Sequence, residues 1–224
     1  MNTFPKALIF DLNGTMVDDM GYHVEAWSGI LNDDLKAGLT REQVRSQMYG
    51  KNSELLIRVF GPDRFTPEEM DHWSMEKERR YQNAFLPAMK LIPGLEDLLK
   101  KAHAENIPMA IGSAAIPFNI DFVLDHLGIR KYFRAIVSAE DVTISKPDPE
   151  TFLKAAALLN ADPKSSLLFE DAPKGVEAGD RAGMPAIVLT TMHSREEFSS
   201  YGNVLHFIKD YTDPYILSLL RQDA

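Results

Sequence analysis

The 224-residue chain has no cysteine, which excludes disulfides, thiolate nucleophiles and thiolate-bound metals from its chemistry. It also lacks any apolar run approaching the about 20 residues of a membrane-spanning helix. The opening residues Met1-Asn2-Thr3-Phe4-Pro5 do not form a basic segment followed by an apolar stretch, so the cytoplasm is the expected location. Cations are scarce. With 24 Lys and Arg against 33 Asp and Glu the net charge is −9, which repels nucleic acid and anionic membrane and removes both from the expected partners. An anionic ligand therefore has to be met by a local cluster of positive groups. The chain contains neither an internal repeat nor a low-complexity segment. Its composition is ordinary for a globular protein, 45% apolar, and its length supports one good core plus a smaller appended unit. A monomer is the expectation.

Two kinds of periodicity divide the sequence. From about residue 16 to 91 apolar residues recur at spacings of three and four, predicting helices over 22–35, 41–49, 53–60 and 67–85, with Thr40 and Thr66 placed as N-caps. Beyond Pro93-Gly94, strands near 108–112, 135–138, 166–170 and 185–189 alternate with helices near 94–105, 117–127, 149–160 and 174–182. Such alternation demands crossover connections and a parallel sheet covered on both faces. The run Ala7 to Phe10 has the length and composition of a strand hidden on both faces, so it belongs with the later strands. The expected fold is α/β, with a parallel-sheet core from residues 1–15 and 92–224 and a helical insert over 16–91.

The strand ends carry the chemistry. Asp11 closes the first run and is followed by Leu12-Asn13-Gly14-Thr15, where Asn13 and Gly14 tolerate positive φ. A carboxylate there faces the crevice in which parallel α/β sheets bind their ligands. Ile107-Pro108-Met109-Ala110-Ile111-Gly112-Ser113 ends in a hydroxyl, Ser145-Lys146-Pro147-Asp148-Pro149 sets a lysine before a helix start, and Leu167-Leu168-Phe169-Glu170-Asp171 ends in paired carboxylates. Each has a plain structural reading of its own: a solvated turn lysine, a helix cap and turn, a serine N-cap. Yet Asp11 to Thr15 resembles the nucleophile motif Asp-x-Asp-Gly-Thr of the haloacid dehalogenase-like phosphohydrolases, matched at Asp11, Gly14 and Thr15 and departing at Asn13. The other three segments are similar in order and spacing to that family's remaining signatures, and the resemblance covers almost the whole chain. The coincidence of four strand ends outweighs the plain readings.

The resemblance implies a Rossmann-like core with a small α-helical cap, as in the family's β-phosphoglucomutase-like branch. It further implies a small phosphorylated substrate and Mg²⁺. Asp11 would attack phosphorus to give an aspartyl phosphate. Asp11, Glu170 and Asp171, with the backbone carbonyl of Asn13, would hold the metal, since unneutralised carboxylates at such a site repel one another. Lys146 would neutralise the transferring group, while Ser113 and the backbone at Ala114 would grip phosphoryl oxygens.

The insert is expected to set the substrate. His23 and Trp27 share one helix face, where the histidine is either a proton carrier or polar contact, or a packed structural residue. Met48-Tyr49-Gly50-Lys51-Asn52-Ser53-Glu54 resembles the branch's specificity loop, with Gly50 as hinge. Ser53 stands where the mutases carry an arginine, and Ala114-Ala115-Ile116-Pro117 replaces their distal-phosphate ligands. Lys51 and Lys77 are cations that would compensate, set against the plainer reading of solvated surface lysines. A phosphatase is therefore preferred to a mutase. Asn13 cannot shuttle a proton at neutral pH. That leaves a slow phosphatase, an enzyme using another base such as His23, a phosphate-binding protein derived from an enzyme, or an engineered Asp-to-Asn substitution.

Overall fold

A computed structural model describes residues 5–219. The chain forms two compact units: one holds the chain up to Asp18 and from Lys90 onward, the other Asp19–Met89.

The first unit contains a six-stranded, all-parallel sheet in the order β3-β2-β1-β4-β5-β6. The strands are β1 Ala7–Phe10, β2 Met109–Gly112, β3 Ala135–Val137, β4 Ser166–Glu170, β5 Ala186–Leu189 and β6 Val204–Ile208. Helices α5 Leu95–Ala104, α6 Pro117–His126, α7 Glu150–Leu158 and α8 Pro173–Arg181 connect them, and α9 Pro214–Leu219 follows β6. Every residue of β1, β2, β4 and β5 is buried, as continuous apolar runs in a two-sided parallel sheet require. Burying Leu8, Ile9 and Phe10 contributes roughly 1.5–3 kcal/mol apiece. The alternation in sequence anticipated this sheet, but not β6 or α9. β6 lies at the sheet edge, where only Ile208 is buried and Leu205 is 54% exposed, so its apolar signal is diluted.

Register brings the strand ends together. Phe10 pairs with Ile111 on one side and with Phe169 on the other. Asp11 and Glu170, each one residue further on, are therefore neighbours at the carboxyl edge, with Ser113 two residues beyond Ile111.

The second unit is helical: α1 Met20–Ser28, α2 Arg41–Gln47, α3 Asn52–Phe60 and α4 Pro67–Phe85. The single helix expected over 22–35 instead ends at Ser28 and widens into a π-type turn over Gly29–Asp34, closed by Leu35 N–H donating to the Ile30 carbonyl at 2.9 Å. Thr40 and Thr66 cap α2 and α4 as their positions suggested, each accepting at 3.2 Å from the third helical N–H; such caps contribute about 1 kcal/mol. Trp27, Ile30, Leu31, Val44, Leu55, Leu56 and Phe65 form this unit's apolar core. No helix among the described residues is long and apolar enough to cross a membrane.

Candidate active site

At the carboxyl edge of the sheet Asp11, Glu170 and Asp171 are all buried, and each offers a carboxylate oxygen within 4.8 Å of the others. The Lys146 ammonium donates to Asp11 Oδ1 at 2.6 Å and to Glu170 Oε1 at 2.8 Å. It is 7% exposed and sits 4.4 Å from the centre of the Phe152 ring. The solvated-lysine alternative for Lys146 is therefore excluded. Burial alone would lower its pKa, but the Asp11 and Glu170 carboxylates outweigh that and hold it above the usual lysine value.

Glu170 orders the turn that its plain reading assigned to it. Its Oε2 accepts from the Asp171 and Ala172 N–H groups at 2.7 Å each, ordering the turn into α8, while Oε1 meets Lys146. A Cβ on Gly175 would collide with this carboxylate, so a glycine is what lets the first turn of α8 pack over it. Asp171 Oδ1 accepts from the Thr15 hydroxyl at 3.2 Å. Gly14 stands at φ +77°, and the Asp171 carboxylate fills the space a side chain there would need. Asn13, half-buried, pairs with Val17 across the same turn.

Three carboxylates against one ammonium leave two negative charges in a buried cluster. Burial first, then Glu170 and Asp11, push the Asp171 carboxyl well above the usual range. A divalent cation cancels that excess, and a set of clustered carboxylate oxygens is the donor type that Mg²⁺ takes, so the residues fit such an ion.

Ser113, 1% exposed, closes β2; its N–H donates to the Val137 carbonyl at 2.9 Å and its hydroxyl accepts from Ala115 N–H at 3.1 Å. It is not the cap of α6, whose N-cap is Ile116. Ala114 follows it, half-buried.

His23, Gly50 and Lys51 belong to the helical unit. Gly50 takes φ +72°, and Lys51 N–H donates to Glu54 Oε2 at 2.9 Å at the start of α3. The reading of Lys77 as a surface lysine is corrected: it is 5% exposed, 2.7 Å from His23 Nδ1 and 3.0 Å from both Glu78 oxygens. Since Lys77 has only hydrogens to give, Nδ1 accepts, and the ring hydrogen sits on Nε2, 3.4 Å from Asp19 Oδ2. Asp19 also accepts from Tyr81 at 2.6 Å, His23 stacks on the Tyr81 ring at 3.7 Å, and Asn52 donates to Glu78 at 2.7 Å. Burial and then the Lys77 ammonium lower the His23 pKa, so the ring is neutral at pH 7. Burial alone would raise Glu78, but Lys77, His23 and the Asn52 amide together outweigh it and leave that carboxyl below its usual value. The sequence reading did not anticipate this network, because helical period marks Asp19 and Glu78 only as polar positions.

Comparison with known proteins agrees with this geometry. The family model for haloacid dehalogenase-like hydrolases matches residues 8–189, and the chain belongs to that family. It is 31% identical over 185 residues to the fructose-1-phosphate phosphatase YqaB of Escherichia coli, covering 80% of this chain and 94% of that one. It is 34% identical over 197 residues to the β-phosphoglucomutase of Bacillus subtilis, covering 81% and 82%. The crystal structure of β-phosphoglucomutase from Clostridium difficile superposes with a TM-score of 0.81 at 27% identity, covering 96% of this chain and 97% of that chain. The class defined is an enzyme, a hydrolase of the phosphatase type.

Proposed function

We propose that the chain is a Mg²⁺-dependent phosphohydrolase of a small phosphorylated metabolite, working through an aspartyl phosphate on Asp11. The observation that carries the reading is the buried Asp11–Glu170–Asp171 cluster gripped by Lys146. In the first step the Asp11 carboxylate attacks phosphorus, the bond to the leaving oxygen breaks, and that oxygen takes a proton from solvent. In the second, water displaces the phosphoryl group as inorganic phosphate and Asp11 is restored. Lys146 balances charge on Asp11 throughout, and Ser113, whose hydroxyl keeps its hydrogen for donation, joins the Ala114 N–H in holding phosphoryl oxygens. Asp11, Glu170, Asp171 and the Asn13 carbonyl are assigned to Mg²⁺, which when bound supplies positive charge against the phosphate dianion.

Substrate selection is assigned to the helical insert, expected over residues 16–91, through its Gly50–Lys51 segment. His23 is given no proton-transfer step, since its two ring nitrogens face Lys77 and Asp19. The Asn13 amide cannot carry a proton, so turnover is slow by the about 10²–10⁴-fold that general acid–base catalysis supplies. A sugar-phosphate mutase is the second reading, favoured by the Bacillus subtilis relative. Ser53 and Ala114-Ala115-Ile116-Pro117 weigh against it, because they offer no charged donor for a second phosphate. A monomer in the cytoplasm completes the proposal. The test is a panel of sugar phosphates and pyrophosphate with and without Mg²⁺, scored for phosphate release and for phosphate migration. Faster migration than release on β-glucose 1-phosphate would establish the mutase instead.

A further inference from the structure

We propose that Thr191 and Tyr211 are positioning residues for the carboxylate cluster, acting through the backbone of the turn that follows Asp11. This rests on reading that cluster as a Mg²⁺ site. The Thr191 hydroxyl donates to the Gly14 carbonyl at 2.7 Å, and the Tyr211 hydroxyl donates to the Thr15 carbonyl at 3.0 Å. Two consecutive carbonyls of one turn are thus held by side chains 177 and 196 residues away in sequence. Both donors lie beyond residue 189, where the family match ends.

The turn itself is tight. Asp11 N–H donates to the Phe169 carbonyl at 2.9 Å, Gly14 N–H to Val17 and Met16 N–H to Leu12, both at 2.8 Å. The first of these ties the start of the turn to β4 and the other two fix its curvature, while Ile92 N–H donates to the Met16 carbonyl at 2.9 Å; the orientation of the stretch between, Gly14 and Thr15, matters twice over. Thr15 reaches Asp171 from it, and Gly14 makes the space in which the Asp171 carboxylate sits. Tilting the turn therefore moves Asp171 relative to Asp11.

Tyr211 is itself held on three sides. It is 1% exposed, its ring lies 5.5 Å from Phe169 at a 45° tilt, and its N–H donates to the Pro93 carbonyl at 2.9 Å. Gly94, at φ +82°, approaches the Tyr211 backbone so closely that a Cβ would lie 2.6 Å from its carbonyl carbon. With the backbone of Tyr211 held by that segment and its ring against Phe169, the residue before Glu170, the hydroxyl is directed at the Thr15 carbonyl. Burial, with Asp11 and Asp171 nearby, raises the phenol pKa well above 10, so the O–H remains a donor at any working pH.

The test uses the full chain and MgCl₂ alone, titrated calorimetrically, beside thermal melts. Tyr211→Phe and Thr191→Val each delete one hydroxyl and keep its volume, whereas Thr191→Ser keeps the donor. Outer partners of metal ligands typically change affinity 10–100-fold, so Phe and Val are expected to weaken Mg²⁺ binding about 10-fold each, with Ser near wild type. Asp171→Asn is the control and should abolish binding. Wild-type affinity in both Tyr211→Phe and Thr191→Val, with binding lost in Asp171→Asn, would overturn the positioning role and leave the metal site standing. Equal losses in Thr191→Ser and Thr191→Val would overturn it for Thr191. Absence of Mg²⁺ binding by the wild type would overturn the site reading and this inference with it.

Discussion

Replacing Lys146 with methionine asks how the core tolerates its own charge. The ammonium is 7% exposed and hydrogen-bonds Asp11 at 2.6 Å and Glu170 at 2.8 Å. Methionine preserves the length of the apolar stem, so the change is confined to one charge, two hydrogen bonds and the contact of the ammonium with the Phe152 ring. Removing one partner of a buried ion pair costs about 3–5 kcal/mol, because the charges left behind stay desolvated. Here three carboxylates would remain with no cation. In the wild type the Lys146 pKa is raised above its unfolded value of 10.5, so its contribution is complete below that value and is lost only as pH rises through the folded one. Across the neutral range the wild type therefore keeps all of it. Asp171, already held well above the usual carboxyl range, takes up a proton as pH falls, so the variant's deficit should be largest near neutrality and shrink on acidification. Mg²⁺ at about 100 times its Kd would add about 2.7 kcal/mol to any form that binds it. Hydrogen exchange at the β1 and β4 amides reads the opening free energy of the sheet directly. A deficit below about 1 kcal/mol at neutral pH, well short of the buried-pair cost, would refute the reasoning.

Restoring the acid–base group by Asn13→Asp should raise phosphate release from alkyl phosphates about 10²–10⁴-fold, with a smaller gain on aryl phosphates, whose leaving groups need little protonation. Asn13-Gly14 is prone to deamidation, so peptide mass analysis has to accompany the kinetics; an unchanged rate on alkyl phosphates would contradict the role assigned to position 13. In the helical unit His23 is held neutral with its pKa below 6.5, so below that pH the unfolded chain binds a proton the fold refuses, and stability falls with falling pH. Glu78, held below 4.5, adds stability present above 4.5 and lost as pH falls through its lower folded value. Both tryptophans, Trp27 and Trp73, lie in this unit, so tryptophan fluorescence reports its unfolding. His23→Asn should flatten the stability profile between about pH 7 and 5, and an unaltered slope would exclude His23 as its source.

The sheet was legible because burial on both faces forces unbroken apolar runs at β1, β2, β4 and β5, and the register brings the residues at or just past the ends of β1, β2 and β4 to one edge. Asp11, Lys146, Glu170 and Asp171 could be proposed together because each follows a strand or precedes a helix at a recognisable boundary. Thr191 follows β5 by two residues and Tyr211 precedes α9 by three, but neither belongs to the four strand-end motifs. They act through backbone carbonyls, which any residue supplies, and Tyr211 lies in a turn of ordinary polar residues, Asp210 to Asp213. Lys77 escaped for a related reason: helical period marks a lysine as surface, and only the three-dimensional meeting of α1 and α4 supplies His23 as its buried partner beside the adjacent Glu78. β6 carried too few buried positions to stand out from the loop around it.

The central claim, phosphoryl transfer through Asp11, is tested most directly by comparing wild type with Asp11→Asn. The amide keeps the shape of the side chain and removes its nucleophilicity. Phosphate release from the best substrate of the sugar-phosphate panel should be Mg²⁺-dependent in the wild type and absent in the variant, with the fold of the variant unchanged by circular dichroism. Equal phosphate release by the two proteins would contradict the account.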